Sequence, residues 1–178
     1  MTSNEKINEL IKCVSHCSDE EYQTILQKLD FKVSDFARFI NYSSKKYIRS
    51  CVAKGDGFEL ILLAWEEGQK APIHGHDGNE GWIYVLQGEF EEKRYNLNSE
   101  TEDLILKSKT IIKEKEVCHT SKDKSEYHSI RNSNKGRSLS LHLYKNPILK
   151  CNVYDEKSDE MVVKKLAYDF KNEAVFLN

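Results

Sequence analysis

The sequence predicts a mainly β protein, a barrel of short strands carrying a layer of N-terminal α-helices. Three observations predict it. Apolar and polar residues alternate with period two from about Lys46 onward, turn signals separate many of the runs, and helical spacing is confined to the first forty-odd residues. At 178 residues, 39% hydrophobic and 31% charged, the chain suits one domain spanning 1–178, with 1–45 as the helical layer and 46–178 as the barrel.

The helical part opens with two capping-box patterns, Thr2-Ser3-Asn4-Glu5 and Ser18-Asp19-Glu20-Glu21, each a hydroxyl followed three residues later by a carboxylate. Ile7, Leu10, Ile11 and Val14 follow the first at helical spacing, and Tyr22, Ile25, Leu26 and Leu29 follow the second. A shorter helical segment is expected around Asp35–Ile40. Strands are then expected at Tyr47–Ala53, Phe58–Trp65, Gly81–Gln87, Glu89–Asn96, Asp103–Leu106, Lys109–Lys113, Tyr127–Arg131, Ser138–Tyr144 and Cys151–Tyr154. Gly55-Asp56-Gly57, Asp77-Gly78-Asn79 and Asn132-Ser133-Asn134-Lys135-Gly136 are among the turn signals. Many short strands at regular spacing indicate a sandwich or barrel and argue against βαβ units.

Composition excludes several function classes. A formal net charge of -2 with no polybasic stretch gives no basis for binding nucleic acid or a membrane surface. Met1–Lys12 lacks the apolar region of a secretory signal, and no apolar run approaches the ~20 residues that span a bilayer. The five cysteines, Cys13, Cys17, Cys51, Cys118 and Cys151, are odd in number and scattered, which argues for reduced thiols in a cytoplasmic protein. Cys13 and Cys17 flank His16 on an expected helix, but no second pair of ligands follows to complete a structural zinc site. A monomer is expected.

The sharpest chemical feature is Pro72-Ile73-His74-Gly75-His76-Asp77. On a strand, residues i and i+2 share a face, so His74 and His76 point the same way and can present two neutral nitrogens to a divalent transition metal. A solvated pair of histidines is the plain alternative. Gly68 lies six residues before His74 and Gly88 closes the following strand, a spacing that resembles the first motif of the cupin superfamily. His128-Ser129-Ile130-Arg131-Asn132 resembles the second, a histidine followed four residues later by asparagine. His119 lies in the same downstream region but lacks that asparagine.

Many cupins place a ligating glutamate five residues after the second histidine, and here that position is Gly81. Glu80 is adjacent, but a slip of one residue on a strand turns the side chain to the other face. Three histidines without a carboxylate are therefore expected, leaving positions for an anionic, chelating substrate such as a thiolate with a neighbouring amine. In Ser138–Tyr144, Leu139, Leu141 and Leu143 occupy one face and Ser140, His142 and Tyr144 the other. Periodicity alone leaves open whether the polar row faces solvent or a cavity.

Ser140-Leu141-His142-Leu143-Tyr144, together with His-x-His, the downstream histidine and the upstream Tyr47-Ile48-Arg49, resembles cysteine dioxygenase, a thiol dioxygenase of the cupin superfamily, over roughly Tyr47–Tyr154. The resemblance implies a cupin-type (jelly-roll) β-barrel, Fe(II) held by His74, His76 and His128, and oxidation of L-cysteine with O2 to cysteine sulfinate. It implies that Arg49 binds the substrate carboxylate, a task that suits the planar guanidinium. Tyr47 would line the same pocket, and Tyr144 would face iron with His142 and Ser140 as its hydrogen-bonding support.

Three departures from the family pattern are visible. Gly81 stands where animal members carry a cysteine thioether-linked to the tyrosine; glycine resembles the bacterial type and leaves Tyr144 free. Lys145-Asn146-Pro147 replaces the family's Ser-Pro-Pro. The proline and glycine that usually precede the third ligand are absent from Glu116–Tyr127. Other readings are a related dioxygenase for 3-mercaptopropionate or another small thiol, a metal-binding cupin without turnover, and a zinc or nickel cupin of isomerase type. Arg49 disfavours the first, because relatives specific for that acid usually carry glutamine there. Elsewhere, Trp65 and Trp82 are expected to pack the barrel, Glu89–Glu92 to form an exposed strand edge, and Cys151 to be a buried thiol at or beside the pocket.

Overall fold

The computed structural model describes residues 2–14, 18–55, 57–120, 122–170 and 175–177. His16 and Cys17, and with them the Cys13–Cys17 spacing, lie outside the described residues. Helices α1 (Ser3–Val14) and α2 (Asp19–Lys28) begin where their caps predict. Thr2 N–H donates to Glu5 Oε2 (2.8 Å) and Glu5 N–H to Thr2 Oγ1 (3.3 Å), while Ser18 N–H donates to Glu21 Oε2 (2.6 Å). The third helical segment is a 3₁₀ helix, Val33–Phe39, that starts earlier than expected. Its Asp35 takes the N–H of Lys32, and also Ser3 Oγ and Lys6 Nζ, which ties it to α1.

Eleven strands follow among the described residues: β1 (Ile48–Gly55), β2 (Phe58–Trp65), β3 (Gly81–Gln87), β4 (Glu89–Leu97), β5 (Leu104–Lys113), β6 (Val117–Thr120), β7 (Glu126–Asn132), β8 (Ser138–Tyr144), β9 (Lys150–Asp155), β10 (Glu160–Lys165) and β11 (Val175–Leu177). One sheet has the order β11-β1-β2-β8-β3-β6; β5-β4-β7 and the β10-β9 hairpin form the rest. The segment 69–76 stitches the latter two together. Ala71 N–H donates to Ile130 O and Asn132 N–H to Gln69 O on the β7 side, and Gly75 N–H to Asn152 O and Tyr154 N–H to Ile73 O on the β9 side. The result is two facing β layers without a continuous hydrogen-bonded barrel.

Strand alternation divides the core in two. Leu60, Leu62 and Ala64 of β2, Leu139, Leu141 and Leu143 of β8, and Trp82, Tyr84 and Leu86 of β3 pack beneath the helices with Leu10, Tyr22, Leu26 and Phe36. Tyr22 of α2 stacks on Trp82 at 4.1 Å between ring centroids. Ile61, Leu63, Trp65, Ile83, Val85 and Tyr144 point the other way, into the space between the layers. This settles the two faces of β8: the leucines are covered by helices, so the row Ser140, His142 and Tyr144 lies inside. Truncating one of those leucines to alanine belongs to the class of change that costs about 2–5 kcal/mol.

Two sequence expectations change. The pair Asp103–Leu106 and Lys109–Lys113 is one strand, β5, carried through a bulge where Leu106 pairs with Tyr95 but Ser108 with Arg94; the extra residue shifts the alternation. Glu89–Glu92 is no exposed edge, because β4 lies between β5 and β7 and Glu92 is buried. No helix among the described residues is long and apolar enough to cross a membrane.

Candidate metal centre

His74 and His76 come from the stitching segment and His128 from β7. Backbone pairing sets the distance between the two sources: His74 N–H donates to His128 O (2.9 Å) and His128 N–H to His74 O (3.0 Å). The three imidazole centroids lie 4.7–5.0 Å apart, and one ligand nitrogen from each lies within 4.8 Å of the others. His74 Nδ1–H donates to Pro72 O (2.9 Å) and His128 Nδ1–H to Glu92 Oε1 (2.8 Å), which leaves Nε2 of each ring for a ligand role. Nε2 of His76 and Nε2 of His128 are buried with no hydrogen-bond partner among the described residues. Such orphaned atoms each cost about 1–3 kcal/mol unless something satisfies them.

Burial and the neighbouring His128 hold His74 down to about 3 and His76 well below the ordinary imidazole range, so both are neutral nitrogen donors at neutral pH. Three imidazoles with two orphaned nitrogens fit a transition metal. Glu80 is outside the cluster, as its position one residue before Gly81 predicts. It accepts from His119 Nε2 (3.0 Å) and pairs with Lys122 and Lys145. His119 is thereby placed away from the three histidines.

A cavity of about 490 Å³ opens beside the cluster, lined by His74, His76, Arg49, Tyr47, Tyr144 and Cys151 among others. Arg49 Nε is buried there without a hydrogen-bond partner among the described residues. Tyr47 stacks on Trp65 at 4.3 Å. Trp65 Nε1–H donates to Ser140 Oγ (3.0 Å), so the indole that packs the interior also starts a polar row. With its oxygen accepting from the indole, Ser140 has His142 Nε2 (2.8 Å) as the acceptor for its own proton. His142 then carries its proton on Nδ1 and donates to Tyr144 OH (3.1 Å). Burial, with Arg49 adding to it, keeps His142 neutral; burial keeps Tyr144 a phenol despite Arg49. The phenolic proton is left for the cavity, where the Tyr144 ring lies 5.7 Å from that of His76.

Gly81 pairs with Tyr144 across β3 and β8, and a Cβ there would run into the Tyr144 ring and come within 2.8 Å of Leu143 O. Glycine is therefore what lets the tyrosine lie flat against β3. Cys151 is both a cavity wall and part of the interior core, and burial raises its thiol.

Sequence reasoning missed two parts of the surroundings. The first is Glu92, whose signal was available: Phe90, Glu92 and Arg94 share one face of β4, and Phe90 marks it as the inner one. The second is the stretch after β10, where Leu166, Ala167 and Asp169 line the cavity. Asp169 clamps it to β1, its N–H donating to Arg49 O (2.9 Å) and its carboxylate accepting from Arg49 N–H (3.0 Å) and Lys46 Nζ. Tyr168 OH donates to the buried Glu59, and no apolar periodicity marks this strap in the sequence.

A trio of histidines between two facing β layers, opening on a cavity with a cationic wall, is the arrangement of a candidate metal centre in a cupin-type fold. Among solved structures, a Thermus thermophilus protein superposes with a TM-score of 0.52 at 19% identity, covering 65% of this chain and 98% of its own. A Klebsiella pneumoniae protein with a double-stranded β-helix domain gives 0.50 at 16% identity, covering 73% and 94%. These likenesses concern the fold. The family model for cysteine dioxygenase type I matches residues 4–157, and the chain belongs to that family. Cysteine dioxygenase type 1 of Rattus norvegicus is 28% identical over 142 residues, 78% of this chain and 70% of the relative. That of Danio rerio is 26% identical over 153 residues, 84% and 76%. Membership makes the chain a thiol dioxygenase, an oxidoreductase acting on a thiol with O2. The cavity-lining strap after β10 lies beyond the matched residues.

Proposed function

We propose that this protein oxidises L-cysteine with O2 to cysteine sulfinate, with His74, His76 and His128 holding Fe(II). The observation that carries the substrate is Arg49: a guanidinium with a buried, unpartnered Nε in the wall of the cavity that His74 and His76 also line. A carboxylate satisfies that group by charge-assisted hydrogen bonds, and the amine of cysteine on the adjacent carbon and its thiol one carbon further can reach toward the histidines. Fe(II), when bound, supplies the path by which O2 reacts with a coordinated thiolate.

The protein's own residues position and donate hydrogen bonds. Arg49 fixes the carboxylate end. Three imidazoles bring no negative charge, which leaves the charge of the metal to be matched by the anionic substrate. Tyr144, supported by the row from Trp65 through Ser140 and His142, presents a phenolic O–H to the oxygen end of the reaction. The balance is RSH + O2 → RSO2⁻ + H⁺: the S–H proton leaves, both oxygen atoms bond to sulfur, and four electrons pass from sulfur to oxygen.

Iron-loaded protein should consume O2 with L-cysteine faster than with 3-mercaptopropionate or cysteamine, and the product should be the sulfinate. Equal or greater turnover of 3-mercaptopropionate would reassign the substrate, because that acid lacks the amine.

A further inference from the structure

Behind His128 lies a charged cluster that the reaction above does not use. Glu92 is 4% exposed, and its two oxygens are divided between two partners: Oε1 accepts from His128 Nδ1 (2.8 Å) and Oε2 from Arg94 Nε (2.9 Å). Cys118 Sγ sits 3.2 Å from both oxygens. Arg94 is in turn held by Glu126 Oε1 (3.1 Å), His119 O (2.6 Å) and Cys118 Sγ (3.0 Å). These groups come from three strands, two from each: Glu92 and Arg94 from β4, Cys118 and His119 from β6, Glu126 and His128 from β7. Two carboxylates against one guanidinium leave one net negative charge.

We propose that Glu92 is a positioning residue for the metal centre, fixing the His128 ring with Nε2 toward His74 and His76 and setting a carboxylate behind the three histidines. The inference rests on reading those histidines as a metal centre. A carboxylate needed only to neutralise Arg94 has no reason to give half its hydrogen-bonding capacity to an imidazole. His74, by contrast, is fixed by an uncharged carbonyl, Pro72 O. A carboxylate behind a ligating imidazole sets its tautomer and raises its basicity, and losing such a partner characteristically weakens metal binding by about 10- to 100-fold. The arrangement gives the trio part of the compensation that a directly ligating glutamate would give, while leaving the coordination position open.

The test is Fe(II) affinity, measured anaerobically on metal-free protein by competition with a chelator, in the wild type, Glu92→Gln and Glu126→Gln. Glu92→Gln should raise the dissociation constant about 10- to 100-fold. Glu126→Gln removes the same charge from Arg94 without touching His128, and should change it less than about threefold. A folded Glu92→Gln protein with wild-type affinity would overturn the inference, and so would equal losses in both variants, which would make the effect one of general charge. If Glu92→Gln does not fold, Glu92→Asp keeps the charge but falls one methylene short of His128, and should weaken Fe(II) binding while the metal-free protein keeps its circular dichroism. Full affinity in that variant would also overturn the inference. A wild type that binds no Fe(II) would instead overturn the metal-centre reading itself.

Discussion

The cavity side of the histidine trio carries a buried guanidinium nitrogen with no partner, whereas the side behind His128 carries carboxylates, a guanidinium and a thiol bonded to one another. The same chemical groups are used for opposite ends. On the first side an unsatisfied donor is tolerable because an anionic ligand can complete it. On the second, mutual satisfaction holds Glu92 ionised: burial opposes the charge, yet His128 and Arg94 outweigh it and hold the carboxylate at about 2. Cys118, pushed up to about 12 by burial and by Glu92, stays a thiol and a donor. The difference teaches that the His74 and His128 rings are fixed from behind so that the front can remain open.

The most damaging break in this contrast is at the trio itself. His76→Ala removes a buried member of the proposed ligand set, and should weaken Fe(II) binding by more than the roughly 100-fold expected for an outer partner; metal content after loading and desalting checks it. Arg49→Ala empties the front side. It should raise KM for cysteine about 10- to 100-fold, the worth of hydrogen bonds to a charged group, while iron content stays at the wild-type level. Parallel loss of iron would show that Arg49 belongs to the metal centre and not to substrate binding.

Gly81→Ala sharpens the front in another way. The new methyl meets the Tyr144 ring and Leu143 O, so the variant should lose about 1–3 kcal/mol of stability in denaturant melts and lower kcat more than it raises KM. A further effect is that of pH on the metal-free protein. His74, His76 and His142 are held neutral chiefly by burial, below their unfolded value of 6.5. As pH falls below that value the unfolded chain takes up protons that the folded one refuses. Stability should therefore drop toward pH 5 by as much as about 1.4 kcal/mol per pH unit for each group, and recover above pH 7. Denaturant melts of iron-free protein across that range give the slope.

Much of the fold was legible because alternation reports burial. Leu139, Leu141 and Leu143 against Ser140, His142 and Tyr144 marked β8, but alternation gives two faces without saying which is inside; only the helical layer over the leucines decides that. Strands β6 and β10 escaped notice for physical reasons. β6 has four residues, with Cys118 and Thr120 as its buried side chains, and β10 is largely exposed and rich in charge. The cluster of His74, His76 and His128 was readable from spacing and resemblance. Glu92 was read as surface because a run of acidic residues suggests it, although Phe90 two residues earlier betrays the inner face. The strap through Tyr168 and Asp169 is held by hydrogen bonds to β1 and β2, contacts between distant parts of the chain that no local pattern encodes.

The most direct test of the account is a stoichiometric one: iron-loaded protein, L-cysteine and ¹⁸O2, with O2 uptake and product mass followed together. The account predicts one cysteine sulfinate per O2 consumed, carrying both labelled oxygen atoms. Protein that holds iron yet consumes no O2 with cysteine, or yields sulfinate without both labels, would contradict it.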